Sequence, residues 1–293
     1  MAYHRREFIK VSAALGSGVV LSGLAGPLTG CTGMTKSSID KNFGLQLWTL
    51  RDVLPADPKG VLTKVASYGY KQIESFEGQK GMFWGMKNTE FKKLMDDLGM
   101  KIVASHCDIK NDFDRKAAEA AEIGMSYLIC PYLGPQKTLN DFKLYAATFN
   151  ERGQTCKKNG LRFAYHNHDY GFIPLEGEMP QDVLMKDTDK DLVDFEMDIY
   201  WVVTAGQDPI TWFDKYPNRF RLCHIKDRQK NVDASQKDAS VILGTGSIDF
   251  NKILKEGQKK GLEYFIVEQE KYENTTPLDA VKADADYLKK FTI

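Results

Sequence analysis

The chain has 293 residues, 42% of them hydrophobic and 27% charged, and its 40 basic and 40 acidic residues leave zero formal net charge. This is an ordinary globular composition, long enough for a large core. With no basic surplus and no DNA- or RNA-binding pattern, it argues against a nucleic-acid partner.

The first 31 residues differ from the rest. His4-Arg5-Arg6-Glu7-Phe8-Ile9-Lys10 is a charged head with paired arginines, Val11 to Gly26 is uncharged and made of small and apolar residues, and Leu28-Thr29-Gly30-Cys31 follows. The pattern predicts an export signal rather than a fold element. The arginine pair resembles the twin-arginine signals of bacteria, and the last four residues resemble a lipoprotein cleavage box with Cys31 as the lipidated residue. The apolar run is shorter than the ~20 residues that a membrane-spanning helix needs. Residues 32–41 read as a polar tether, and residues 42–293 as one domain. The expected location is the periplasm or cell envelope, with membrane attachment through lipidated Cys31 only. Cys107, Cys130, Cys156 and Cys223 are irregularly spaced, and three of them sit in apolar runs. They read as buried small hydrophobes, with no disulfide framework.

After the tether, strands and helices alternate. Phe43 to Trp48 is a first strand, and Asp57-Pro58 opens a helix that Gly69 ends. Gln72 to Phe76 is the second strand, followed by a loop rich in glycine and aromatics. Thr89 is read as the cap of a helix that stops at Gly99. Lys101 to Cys107 is strand three, Phe113 to Ile123 a helix, Tyr127 to Tyr132 strand four, and Leu139 to Asn159 a long helix stopped by Gly160. Strand five is the run from Leu161 into Tyr165-His166-Asn167-His168-Asp169. Pro180 to Lys186 is helical, Leu192 to Ile199 is strand six, Pro209 to Lys215 is helical and Phe220 to Ile225 is strand seven. A polar loop spans Asp227 to Thr245. A helix from Ser247-Ile248-Asp249 to Gly261, strand eight at Tyr264 to Glu268 and a last helix from Leu278 to Phe291 complete the chain. Eight strands alternating with about eight helices predict a (β/α)8 TIM barrel, in which active sites lie at the C-terminal ends of the strands.

Those strand ends carry chemistry. Period-2 alternation puts Ala164, His166 and His168 on one face, Glu196, Asp198 and Tyr200 on another, and aligns Leu222, His224 and Lys226, and Ile266, Glu268 and Glu270, in the same way. Carboxylates and histidines converging on one point suit a divalent cation, because a bare buried carboxylate cluster is costly through desolvation and like-charge repulsion. A cation there would polarise a substrate oxygen while a neighbouring carboxylate or histidine takes a proton from the adjacent carbon. Trp48, Glu74, His106, Tyr132 and Lys226 are the substrate-binding candidates. Trp48 and Trp84 read equally as packing residues or as a sugar-stacking floor, and Asp169 and Asp227 read as turn residues.

Six motifs carry a resemblance: Leu45-Gln-Leu-Trp-Thr-Leu-Arg-Asp, Tyr165-His-Asn-His-Asp, Glu196-Met-Asp-Ile-Tyr-Trp, Cys223-His-Ile-Lys-Asp, Gly244-Thr-Gly-Ser-Ile-Asp-Phe and Ile266-Val-Glu. In this order they resemble the sugar phosphate isomerase/epimerase family of xylose isomerase-like TIM barrels. The resemblance implies a metal (Mn, Co, Zn or Mg) held by His166 or His168 with Asp198, His224 and Glu268. It implies proton transfer by Glu268, Glu270, Lys226 or His166. Many members carry a glutamate where this chain has His166, and relatives with His-Asn-His-Asp often have a Glu at the place of Gly171, so a two-glutamate mechanism is not expected. The expected activity is a metal-dependent sugar isomerase or epimerase acting beside a carbonyl. The alternatives are a lyase on 3-keto-glycosides using the same enolisation, and a non-catalytic carbohydrate-binding lipoprotein.

Overall fold

The computed structural model describes residues 42–291. The predicted export signal with Cys31 and the tether at residues 32–41 lie outside the described residues. Eight parallel strands close into a barrel: β1 (Gly44–Gln46), β2 (Gln72–Phe76), β3 (Lys101–His106), β4 (Tyr127–Cys130), β5 (Arg162–His166), β6 (Val193–Asp198), β7 (Phe220–Ile225) and β8 (Tyr264–Val267), with β8 pairing back onto β1. Helices join them: α1 (Pro58–Ser67), α2 (Asn88–Asp97), α3 (Phe113–Glu122), α4 (Leu139–Lys158), α5 (Pro180–Asp187), α6 (Ile199–Thr204), α7 (Pro209–Lys215) and α8 (Phe250–Lys259), then α9 (Pro277–Leu288) after β8. The predicted fold class is therefore the one observed. Starts are set by local chemistry. The side chains of Asp57, Thr138, Asp208, Asp249 and Thr276 each accept a backbone N–H of the first turn, and these are the groups a helix cannot satisfy itself.

Several elements differ from expectation. β1 stops at Gln46, whose side-chain oxygen accepts the N–H of Trp48 at 3.0 Å and winds Leu47–Leu50 into a 3-10 turn. The cap of α2 is Lys87, not Thr89, and Glu90 accepts the Lys87 N–H at 3.0 Å. β6 ends at Asp198, which accepts the N–H of Trp201 at 3.1 Å and starts α6. Tyr200 is thereby carried off the strand face it was expected to share. The loop after β7 contains a two-stranded antiparallel ladder of Asp227–Arg228 with Ser240–Val241. Asp227 is the turn residue it was read as: it accepts N–H groups of Arg228, Gly244, Gly246 and Ile248 at 2.8–3.2 Å. Asp169 instead pairs with the Lys237 ammonium. All four described cysteines are free and buried, as expected.

The apolar core between strands and helices is continuous, and a smaller cluster (Ala104, Tyr127, Ile129, Ala164, Leu222 and Ile266 among others) fills the barrel itself. Gly44 fits closely there: a Cβ would lie 2.5 Å from Ile266 Cδ1 and 3.0 Å from Gln72 Cβ, so one of them would have to shift. At the lower end, Asp194 accepts the Tyr127 hydroxyl at 3.0 Å and pairs with Arg162. The tube is therefore apolar at its middle, closed below by this polar cluster, and carries its histidines and remaining carboxylates toward the C-terminal rim.

One buried acid sets a pH dependence. Asp284 on α9 accepts the N–H of Leu243 at 2.8 Å, and its other oxygen has no partner. Burial, joined by the nearby Asp227 carboxylate, pushes its pKa up from 3.8 to about 8 despite that bond. Because the folded-state pKa is raised, its contribution to stability is complete below about pH 4 and is lost as pH rises through 8. Asp284→Asn is expected to match wild type near pH 4 and to exceed it by a few kcal/mol near pH 9. Denaturant unfolding at both pH values checks this; a gap that does not widen with pH would refute it.

Candidate active site

Two irregularities in strand register fall beside two carboxylates, between Ile73 and Glu74 on β2 and between Phe195 and Glu196 on β6. Bulges of this kind re-aim side chains near sites. Here both glutamates join an inner layer with His106, His166 and His224, and all five are buried. The His106 Nε2 lies 2.8 Å from Glu196 Oε2 and 3.2 Å from Glu74 Oε1. His166 Nδ1 lies 3.1 Å from Glu196 Oε2, and His224 Nε2 lies 2.7 Å from Glu74 Oε1. Gln46 donates to Glu74 at 2.6 Å. Burial opposes every charge in this layer. Against it, Glu74 and Glu196 raise the pKa of His106 to about 9, and the imidazoles of His106 and His224 hold Glu74 well below the carboxylate range. Burial and then Glu74 push Glu196 up to about 7, while His166, buried among other cationic groups, is held neutral.

The upper layer sits just above. His224 Nδ1 is 3.3 Å from Glu268 Oε2 and 3.8 Å from Asp198 Oδ2, and His166 Nε2 is 3.8 Å from the same Asp198 oxygen. Donor atoms of Asp198, His224 and Glu268 all lie within 4.8 Å of one another. Asp198 Oδ2 is buried without a hydrogen-bond partner, and burial pushes its pKa up to about 6. Lys226 is fully buried, 3.3 Å from Glu268 Oε2, and paired with Glu270. Burial would lower its pKa, but Glu268, Glu270 and Asp198 together raise it, so it stays an ammonium.

This donor set fits a divalent cation. It combines two carboxylates with imidazole nitrogens, and one carboxylate oxygen lacks any other partner. The opposite nitrogen of each imidazole is also held by a carboxylate: His224 Nε2 by Glu74, and His166 Nδ1 by Glu196. That outer bonding fixes a ligating histidine in its tautomer and orientation.

Above both layers opens a cavity of about 330 Å³ whose walls include Trp48, His106, Tyr132, His168, Trp201 and Glu270. Of the sequence-derived candidates, Trp48, His106, Tyr132, His166, His168, Glu268 and Glu270 reach this cavity. Glu74 does not: it lies beneath, among the histidines, and Gln46 rather than a ligand holds it. His106 lines the wall, but its Nε2 is turned down to the glutamates. Lys226 is wrapped by carboxylates and by the rings of Tyr200 and Trp201 at 4.9 and 5.1 Å, so it lies beside the cavity rather than in its wall. His168 stands past the end of β5, outside the converging donors, with Nδ1 buried and unpartnered and its pKa lowered by burial to about 3. His166 is the strand-five histidine nearer them: one of its donor atoms converges within 4.8 Å with those of His106, Glu196 and His224, and its Nε2 lies 3.8 Å from Asp198 Oδ2. Glu196 was absent from the candidates, although alternation had put it on the face of Asp198. Asn167 serves neither layer: its amide clamps the backbone N–H and C=O of Asp198, both at 3.2 Å.

A family model described as xylose isomerase-like TIM barrel matches residues 62–291. The chain is similar to an inosose dehydratase of Clostridium perfringens, with 30% identity over 212 residues covering 66% of this chain and 70% of that protein. It is similar to a sugar phosphate isomerase/epimerase from Parabacteroides distasonis of known structure, with 30% identity, a TM-score of 0.74, and coverage of 90% of this chain and 98% of the other. A probable 3-DHS dehydratase from Bacillus anthracis shares the fold at a TM-score of 0.65 and 15% identity, covering 84% of this chain and 98% of its own.

Proposed function

This chain belongs to the xylose isomerase-like TIM barrel family, and on that premise we propose that it is a divalent-cation-dependent lyase. It takes a proton from the carbon beside a carbonyl of a cyclic sugar derivative and expels an oxygen leaving group from the next carbon. A cation held by His166, Asp198, His224 and Glu268 would polarise that carbonyl and stabilise the negative charge of the enolate. The single observation that carries the reading is that one carboxylate, Glu270, faces the cavity beside the proposed cation ligand Glu268. Glu270 faces the cavity and is paired with Lys226, while the strand-five position holds His166, with Nδ1 on Glu196 and Nε2 toward Asp198.

Inverting a carbon needs a second base on the opposite face, and His166 so engaged does not supply one. Elimination can run on one carboxyl group, first as base and then, protonated, as acid. Glu270 takes the C–H proton, the C–H electron pair forms the enolate, and the protonated Glu270 carboxyl then gives that proton to the departing oxygen, while the buried Lys226 ammonium holds the carboxylate in place. The similarity to a protein named for dehydration of an inosose supports the same class. A sugar isomerase is the second reading, favoured by the structural relative, since a single base can also return the proton to the neighbouring carbon. A purely binding role is disfavoured by the Glu270 carboxylate facing the cavity and by the enzymes among the relatives.

Incubation of metal-loaded protein with 3-keto-glycosides and with keto- and aldo-sugars in deuterated water separates these. Exchange with release of the leaving group is the expected result. Exchange without release would establish the isomerase, and no exchange on any substrate would sink both.

A further inference from the structure

We propose that the barrel mouth carries a second subsite, walled by Tyr132, for a ring attached to the reacting sugar, and that the substrate is an uncharged glycoside rather than a sugar phosphate; this rests on the carbonyl-sugar reading above. A second cavity of about 330 Å³ adjoins the first and shares Cys107, Asp108, Pro131 and Tyr132 with it. Ile109, Leu133 and Tyr145 make its remaining wall largely apolar, with Lys110 beside them.

Tyr132 thus stands between the two spaces. Its side chain is 58% exposed, yet its ring is braced edge-on by His168 at 4.9 Å and by Tyr170 at 5.7 Å. The Tyr170 hydroxyl also accepts the N–H of Leu133 at 3.1 Å, which fixes the segment. In the first cavity Trp48 is 40% exposed, packed edge-on against Phe76 at 5.0 Å and donating Nε1–H to Glu270 at 3.2 Å. Rigid, exposed aromatic faces beside a cavity are suited to stacking on a ring and costly to leave in water.

Charge decides what the inner cavity takes. Its walls present Glu77, Asp108, Glu268 and Glu270, and among the described lining residues there is no lysine or arginine. Two ammonium groups nearby, Lys226 and Lys116, are buried and already paired, with Glu270 and with Glu77 respectively. Glu77 and Glu270 are balanced by those pairs and Glu268 is a proposed cation ligand, so the inner wall offers a phosphate no lysine or arginine partner, whereas neutral hydroxyls find carboxylate acceptors.

Calorimetric titration of the purified full chain with four ligands tests this. Phenyl β-glucoside or cellobiose is expected to bind about tenfold tighter than methyl β-glucoside, and whichever is tighter tells whether the added ring is aryl or sugar. Tyr132→Ala is expected to bring that ratio to about one. Glucose 6-phosphate is expected to bind at least about tenfold more weakly than methyl β-glucoside. Equal binding of ring-bearing and methyl ligands, no binding of either ring-bearing ligand, or a ratio that Tyr132→Ala leaves in place, overturns the subsite. Tighter binding of glucose 6-phosphate overturns the neutral substrate. Deuterium exchange into a free keto-sugar reports on the proton abstraction alone, so the subsite can fail while that step of the reading stands.

Discussion

Asp198→Asn protein is expected to stay folded, to lose its divalent cation, and to show kcat/KM at least about a thousandfold below wild type. The variant is chosen because Asp198 has two jobs that asparagine separates. One oxygen caps α6 by accepting the Trp201 N–H, and asparagine is as good a cap as aspartate. The other, Oδ2, is buried without a hydrogen-bond partner, and the charge it brings is what a cation needs. The stability effect has the opposite sign to the functional one. Burial raises the pKa of Asp198 from 3.8 to about 6, so in the metal-free protein its contribution to stability is complete below about pH 4 and lost as pH passes 6. At neutral pH the metal-free variant is therefore expected to be more stable than metal-free wild type by of order 2–3 kcal/mol. Added cation stabilises wild type by mass action and leaves the variant unmoved. Metal analysis and thermal unfolding with and without cation read both effects. A variant that keeps full metal occupancy would remove Asp198 from the site.

The paradox that a removed charge stabilises the empty fold and disables the site explains which parts of this protein were legible in its sequence. The barrel was legible because its punctuation is local. Gly69, Gly99, Gly124, Gly160 and Gly261 all take positive φ where a helix or its last turn ends, and proline stands at the first turn of α1, α5, α7 and α9. The strand ends Asp198, His224, Lys226 and Glu268 followed from alternation combined with the rule that sites lie at the C-terminal rim. What escaped depended on depth and register. Glu74 was a candidate for the substrate rather than for the inner layer, and Glu196, although alternation put it on the face of Asp198, is mid-strand; each stands beside a register shift that no pattern announces, the extra residues being Val103 and Arg221 on the neighbouring strands. Alternation also misled past a true end. Ile199-Tyr-Trp-Val-Val has strand propensity, but the cap from Asp198 winds it into α6, and His168 lies beyond the last residue of β5. Propensity lost both contests to a specific hydrogen bond or to the closure of the barrel.

Glu270→Gln is the complementary experiment, and its expected result is an enzyme that keeps its metal and loses its chemistry. Glu270 lies above the proposed ligands. Its carboxylate accepts Trp48 Nε1–H at 3.2 Å on one oxygen and pairs with Lys226 through the other, and glutamine keeps the size and one acceptor oxygen, enough for one of these two donors. What glutamine cannot do is take a proton from carbon, so kcat is expected to fall by about 10²–10⁴, the range that a positioned acid or base supplies. Deuterium exchange beside the carbonyl should fall by the same factor as leaving-group release, because both follow from the same proton abstraction. KM should change little, since Trp48, Tyr132 and the ligand set are untouched. Loss of release with exchange intact would instead assign Glu270 to the leaving-group side and give the carbon proton to another group, with Glu268 the next carboxylate on the same strand end. Retained activity would reduce the Glu270–Lys226 pair to a structural clamp that neutralises a buried ammonium, and the elimination would then have to draw its base from the histidine side of the cavity.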